Sequence, residues 1–153
     1  MPGFALPLAI PETDVDDPHN LERFVKAQNS VFEQVCAELR SGGKESHWMW
    51  YVFPQMKGLG NSPTSLRFAI ASREEADAYL EHPILGARLR ECTQLVLLIE
   101  GLSIRDIFGY PDYLKFHSCM TLFAQVTPKE RVFKEALDKY FGGELDRATL
   151  DRL

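Results

Sequence analysis

The sequence has no long apolar run. After the first twenty residues the longest are the aromatic WMWYVF, residues 48–53, and the aliphatic LVLLI, residues 95–99, both far short of the roughly 20 residues that a membrane-crossing helix needs. Cysteine is scarce as well: three residues, Cys36, Cys92 and Cys119, odd in number and widely spaced. That pattern excludes a disulfide framework and points to free thiols in a reducing cytoplasm. No cluster of basic residues occurs, and the net charge is −5. A surface built to neutralise nucleic-acid phosphates is therefore not expected, and neither is a membrane partner. Alternation of apolar and polar residues over a strand length is almost absent, and no Asn-Gly or Asp-Gly pair marks a hairpin. The four histidines show no HxxxH or HExxH spacing and no CxxC accompanies them, so neither a metal nor a cofactor is expected. The N-terminus starts apolar but lacks a basic segment and is interrupted by Pro2, Pro7 and Pro11, which argues against a cleaved signal peptide.

What is present is helical periodicity. Residues 1–19 read as an extended arm, acidic toward its end, and residues 20–153 as one domain. Leu21, Phe24, Val25, Gln28, Val31, Phe32, Val35, Cys36 and Leu39 recur at helical spacing, with Asn20 as N-cap and Gly42 as the stop. Further starts carry capping chemistry: Ser62-Pro63, Ser72 with Glu75, His82-Pro83, Ser103 with Asp106, Pro111 and Asp146. Gly101, Gly109 and the pair Gly142-Gly143 close helices. The expected fold is all-α, a compact single-domain bundle of about seven or eight short helices. WMWYVF, residues 48–53, is rich in residues that favour strands. It reads as a short helix buried on all sides, with a lone strand as the alternative, and Pro54 ends it either way.

Both tryptophans of the chain lie in that stretch, directly before PQMKGLGNSP. Aromatic side chains bury large areas, and a buried indole N–H needs a partner. Trp48, Trp50 and Phe53 are first of all core candidates. The loop behind them, with Gly58 and Gly60 leading to the capping Ser62, has the makings of an anion cradle to which Lys57 would add charge. It matches neither a phosphate-binding P-loop nor a dinucleotide fingerprint. A second polar concentration, GYPDYLKFHSCM, holds Asp112, Lys115, His117, Ser118 and Cys119. Consecutive residues on a helix do not share a face, so these last three cannot form a local Cys/His pair. A nucleophilic Cys119 would need His47 as its base, and the more economical reading is a small core residue. Arg67, Arg88 and Arg90 are further candidates for gripping an anion.

Taken together, DPHNLERFVKAQNSVFEQVCAELR, the block HWMWYVFPQMKGLGNS, IFGYPDYLKFHSCMTLF and LDKYFGGELDRATL resemble a bacterial family of uncharacterised proteins that share a domain of unknown function. The resemblance runs from Asp17 to the end and implies an all-helical single domain but no activity. Some members bear the label calpastatin, a type of long disordered inhibitor that this amphipathic chain does not match. FHSCMTLF stands where the family commonly reads RSSMTLF, which favours a serine-like role for Cys119 over thiol chemistry.

The expected function is a cytoplasmic pocket protein for a small anionic or nucleotide-like molecule. Residues 54–62 and 112–118 would line one cleft, Trp48 or Trp50 would wall it, and Gln55, Lys57, Gly58, Gly60, Ser62, Lys115 and Ser118 would bind. In a hydrolytic version, acting for instance on a nucleotide or an ADP-ribose-type compound, His47 or Asp112 serves as general base. The alternative is a non-catalytic interaction domain that docks on a partner protein or forms a homodimer.

Overall fold

The computed structural model describes residues 17–153, and within them the chain forms ten helices and no strand. They are α1 (Glu22–Asn29), α2 (Phe32–Arg40), α3 (Met49–Val52), α4 (Pro63–Arg67), α5 (Arg73–Glu81), α6 (Leu85–Leu97), α7 (Ile104–Phe108), α8 (Asp112–Val126), α9 (Arg131–Phe141) and α10 (Arg147–Leu150). Most of the expected arm, residues 1–16, lies outside the described residues.

The expected first helix is two. It stops at Asn29 and restarts at Phe32, where the backbone N–H of Val31 turns back to Gln28 O at 3.0 Å. Its start also differs from expectation. Asn20 has a left-handed backbone (φ 52°) and does not cap. The Asp17 carboxylate does, accepting the Leu21 and Glu22 N–H groups at 2.7 and 3.0 Å. A carboxylate four residues earlier reaches the same unsatisfied donors that an adjacent cap would. Five of the other expected N-caps form, although Glu75 accepts from the Ala71 N–H and not from Ser72, and the helix expected to close at Gly101 ends at Leu97. Ser62, Ser72, Ser103 and Asp146 accept from the third residue beyond, and His82 Nδ1 accepts from Ile84 and Leu85.

Helix α8 is the axis of the bundle. Phe116, Cys119, Met120, Leu122 and Phe123 are all fully buried, and α5, α7, α9 and α10 pack around it. Helix α6 joins α2, α5 and α9 on the far side. One aromatic chain threads the centre. Trp48 meets Phe53, Phe53 meets Phe108 and Phe116 edge-on at 5.7 and 5.1 Å, and Phe108 stacks on Phe116 at 4.9 Å. Edge-to-face contacts of this kind add to the stabilisation that burial alone provides.

WMWYVF is a helix, as preferred, but one short turn and not buried all round. Trp48, Met49, Val52 and Phe53 enter the core, while Trp50 and Tyr51 are half-exposed. Four residues of helix span a single turn, so the two tryptophans, two positions apart, point to different sides. No helix among the described residues is long and apolar enough to cross a membrane.

Candidate functional site

The segment after α3 is held at both ends. Pro54 stops the helix, and Gln55 O then accepts the Ile70 N–H at 2.9 Å while the Lys57 N–H donates to Ile70 O at 2.8 Å. This pairing is a single parallel bridge between Met56 and Ile70. Further on, the Arg152 guanidinium donates to Gly58 O at 3.1 Å, tying the end of the chain to the loop. Gly58 has φ 99°, and a Cβ there would stand 2.6 Å from Arg152 Nε. At Gly60 a Cβ would lie 2.9 Å from the Ser65 side chain and 3.5 Å from the Trp50 ring. Only glycine lets the loop close this tightly on the indole.

A cleft of about 420 Å³ opens between this loop, the start of α8 and the start of α10, lined by Trp50, Gln55, Leu59, Pro111, Leu114, Lys115, Ser118, Asp146 and Ala148. Its charge is organised around Asp112. That carboxylate binds Lys44 at 2.8 Å through one oxygen and Lys115 at 3.1 Å through the other. Each lysine also lies over an indole: Lys44 is 5.3 Å from the Trp48 ring and Lys115 is 4.4 Å from the Trp50 ring. Burial pushes the Asp112 carboxyl up, but the two ammonium groups outweigh it and hold the group below the usual carboxylate range. On the opposite wall, Asp146 Oδ2 accepts from the Ser118 hydroxyl at 2.8 Å, the Thr149 hydroxyl at 2.6 Å and the Thr149 N–H at 3.3 Å. Every side-chain hydrogen bond of Asp146 runs to Oδ2; Oδ1 has no partner among the described residues.

Gln55 stands apart from the other buried polar side chains. Gln28, Glu38, Ser65, Glu75, Thr93, Ser118, Thr121 and Thr149 each exchange at least one hydrogen bond. Gln55, only 8% exposed, has no side-chain partner among the described residues, and it lines the cleft. Among the described residues no buried side-chain nitrogen or oxygen is both sealed from solvent and unpaired, so the carboxamide meets its environment through the cleft itself.

Of the residues expected at a site, the structure brings Trp50, Gln55, Lys115 and Ser118 together around one cavity, with Asp112 directly behind Lys115. The others lie elsewhere. Trp48 is in the core, its indole N–H donating to Glu38 Oε1 at 2.9 Å. His47, Lys57, Gly58, Gly60 and Ser62 do not line the cleft. The Ser62 hydroxyl is occupied by the Ser65 N–H and the Lys57 N–H by Ile70 O, so the loop is a built turn rather than an open cradle of donors. Asp112, neutralised by two cations, is a poor proton acceptor, and His47 is exposed. Cys119 is fully buried, where desolvation holds it as the neutral thiol. Arg88 bonds Gln28 and covers Phe32, Arg90 pairs with Glu130, and Arg67 lies over Phe68. Lys44 and Asp146 were not singled out from the sequence. Asp146 was visible only as a helix start, and nothing near Lys44 marked it.

Among the described residues no three His, Cys, Asp or Glu side chains gather as a metal site would require, and all three cysteines are free and buried. The chain belongs to the family described as Protein of unknown function (DUF1810), whose model matches residues 18–153. It is similar to a solved structure, the conserved hypothetical protein Rv1873 from Mycobacterium tuberculosis. The identity is 54%, the match covers 90% of this chain and 98% of that one, and the TM-score is 0.89. Among curated proteins no match was found.

Proposed function

We propose that the cleft between the 54–62 loop, α8 and α10 binds a small anionic molecule, with Lys115 as the cation, Trp50 as the wall and Gln55 as the polar floor. One observation carries the reading. Of the nine buried polar residues, Gln55 alone has no side-chain partner among the described residues, and it opens on the cavity that holds Lys115. Both polar atoms of that carboxamide reach solvent through the cleft, so water meets them in the free protein and a ligand that displaces this water can take up the donor and the acceptor together. The volume of about 420 Å³ falls in the range of small-molecule pockets, roughly 300–1,000 Å³. Three buried free thiols support a cytoplasmic setting. The reading is one of binding. A hydrolytic version loses support because Asp112 is salt-bridged to two lysines and His47 lies outside the cleft.

The test is a titration of the folded protein with inorganic phosphate, pyrophosphate and nucleoside monophosphates, followed by the Trp50 indole N–H resonance. A saturable shift that disappears in Lys115→Met, with the fold intact, supports the reading. No shift with any of these anions, or an undiminished shift in Lys115→Met, overturns it. The alternative, an interaction domain, draws on another face. Leu98 (65% exposed) and Leu102 project beside a hollow formed by Leu39, Leu95 and Ile99. Its homodimer version requires a second copy of the chain on that face, and a monomer by sedimentation at all concentrations removes that version and leaves docking on a partner protein.

A further inference from the structure

We propose that the ligand is a nucleoside phosphate and that Gln55 reads its base, an inference that rests on the anion-binding reading of the same cleft and narrows it. A carboxamide has two faces of chemistry: an NH₂ that donates and a C=O that accepts. A bare phosphate beside Gln55 would engage the NH₂ and leave the carbonyl, which reaches solvent through the cleft, to water. An occupant that brings an N–H donor next to an acceptor, as the edge of a nucleobase does, would engage both.

Asp146 adds an independent demand of the same kind. The residue lines the cleft; its Oδ2 takes all three hydrogen bonds from Ser118 and Thr149, and its Oδ1 has no partner among the described residues. An occupant consisting only of anionic oxygens would face this carboxylate with nothing to give it. One that carries ring N–H or amino groups at one end and a phosphate at the other meets Gln55 and Asp146 with the first and Lys115 with the second. The apolar lining fits the same molecule. Trp50, Leu59, Pro111 and Leu114 offer flat and aliphatic surface to a planar ring, and indole–base stacking is tolerant of base identity.

The experiment compares AMP, GMP, CMP and UMP with ribose 5-phosphate, which has the sugar and the anion but no base. Binding is read from the Gln55 side-chain NH₂ resonances together with the Trp50 indole, in the wild-type chain and in Gln55→Leu and Gln55→Glu. The expected result is a saturable shift of the Gln55 NH₂ pair with at least one nucleotide and none with ribose 5-phosphate. Gln55→Leu should weaken that nucleotide about tenfold or more while leaving ribose 5-phosphate unchanged. Gln55→Glu, which keeps the shape but removes the donor and adds a negative charge, should weaken it also. Should ribose 5-phosphate bind as tightly as every nucleotide, with both variants silent, the base reading falls and the anion reading survives. If neither the nucleotides nor ribose 5-phosphate move Trp50 or Gln55, both fall together.

Discussion

Trp48 and Trp50 are two positions apart, each lies under a lysine, and both lysines grip the same Asp112. Around Trp48 everything is closed. Its N–H donates to Glu38, and that carboxylate also receives the Glu45 N–H, the Ser46 N–H and the Ser46 hydroxyl at 2.8, 3.1 and 2.5 Å. Around Trp50 the polar neighbour is Gln55, whose carboxamide receives nothing. One turn of helix thus separates a polar group bonded within the protein from one left to solvent in a cleft. A satisfied buried network stabilises the fold, whereas a side chain that meets only water adds little to stability and is available to a ligand.

This contrast can be broken first at the tryptophans. Trp48→Ala should cost about 3–5 kcal/mol, the usual range for emptying a large aromatic site. Trp50→Ala, at a half-exposed position, should cost far less and instead lower affinity for anions. Urea denaturation reads the first and the titration above the second. Equal losses of stability would erase the distinction between the two regions.

Glu38 provides the next largest effect. Burial pushes its carboxyl up, but the hydrogen bonds from Ser46, the Glu45 and Ser46 backbone and Trp48 overcome this and bring it from 4.5 down to about 2. A carboxyl depressed in the folded state stabilises fully above its unfolded value, and that stability drains away as pH falls from about 4.5 toward about 2. Glu38→Gln should lose about 2–3 kcal/mol at neutral pH, because hydrogen bonds to a charged acceptor are the stronger kind. Its stability should also fall less steeply between those pH values. Melting curves across that window decide the point, and an unchanged acid limb would mean that Glu38 is not the titrating group.

Smaller effects sharpen the comparison on the cleft side. Gly58→Ala should destabilise by about 1 kcal/mol, since its φ of 99° and the adjacent Arg152 leave no room for a methyl group. Gln55→Leu should leave stability unchanged to within about 1 kcal/mol, because the side chain has no hydrogen bond to lose. A large loss there would mean that Gln55 is structural after all, and the cleft would need another occupant for its floor.

The helices were legible because helix-forming signals are local. Ser62, Ser72, Ser103 and His82 cap within three residues of themselves, and the fold they imply is the one observed. The break between α1 and α2 was not legible, since the apolar stripe runs straight through it and only the backbone turn at Ser30 interrupts the ladder. About half of the candidate site could be named. Trp50, Gln55, Lys115 and Ser118 stood out by type and neighbourhood, but Trp48 looked like their equal, and Lys57, Gly58, Gly60 and Ser62 looked like a cradle. What distinguishes them is whether their hydrogen bonds are already met, which depends on Ile70, Ser65, Glu38 and Arg152.

By itself the sequence determined that this chain is a single helical bundle with free thiols, an aromatic centre and a family kinship from residue 18 onward. Periodicity, capping and composition act over a few residues and do not need a partner. Only the tertiary structure decided which tryptophan is core and which is wall, that Asp112 is held between two lysines, and that Asp146 stands across from Gln55's cleft. The pairings that span the chain, Lys44 with Asp112 and Ser118 with Asp146, join residues 68 and 28 positions apart. Their meeting is set by how the helices pack around α8, not by any local pattern.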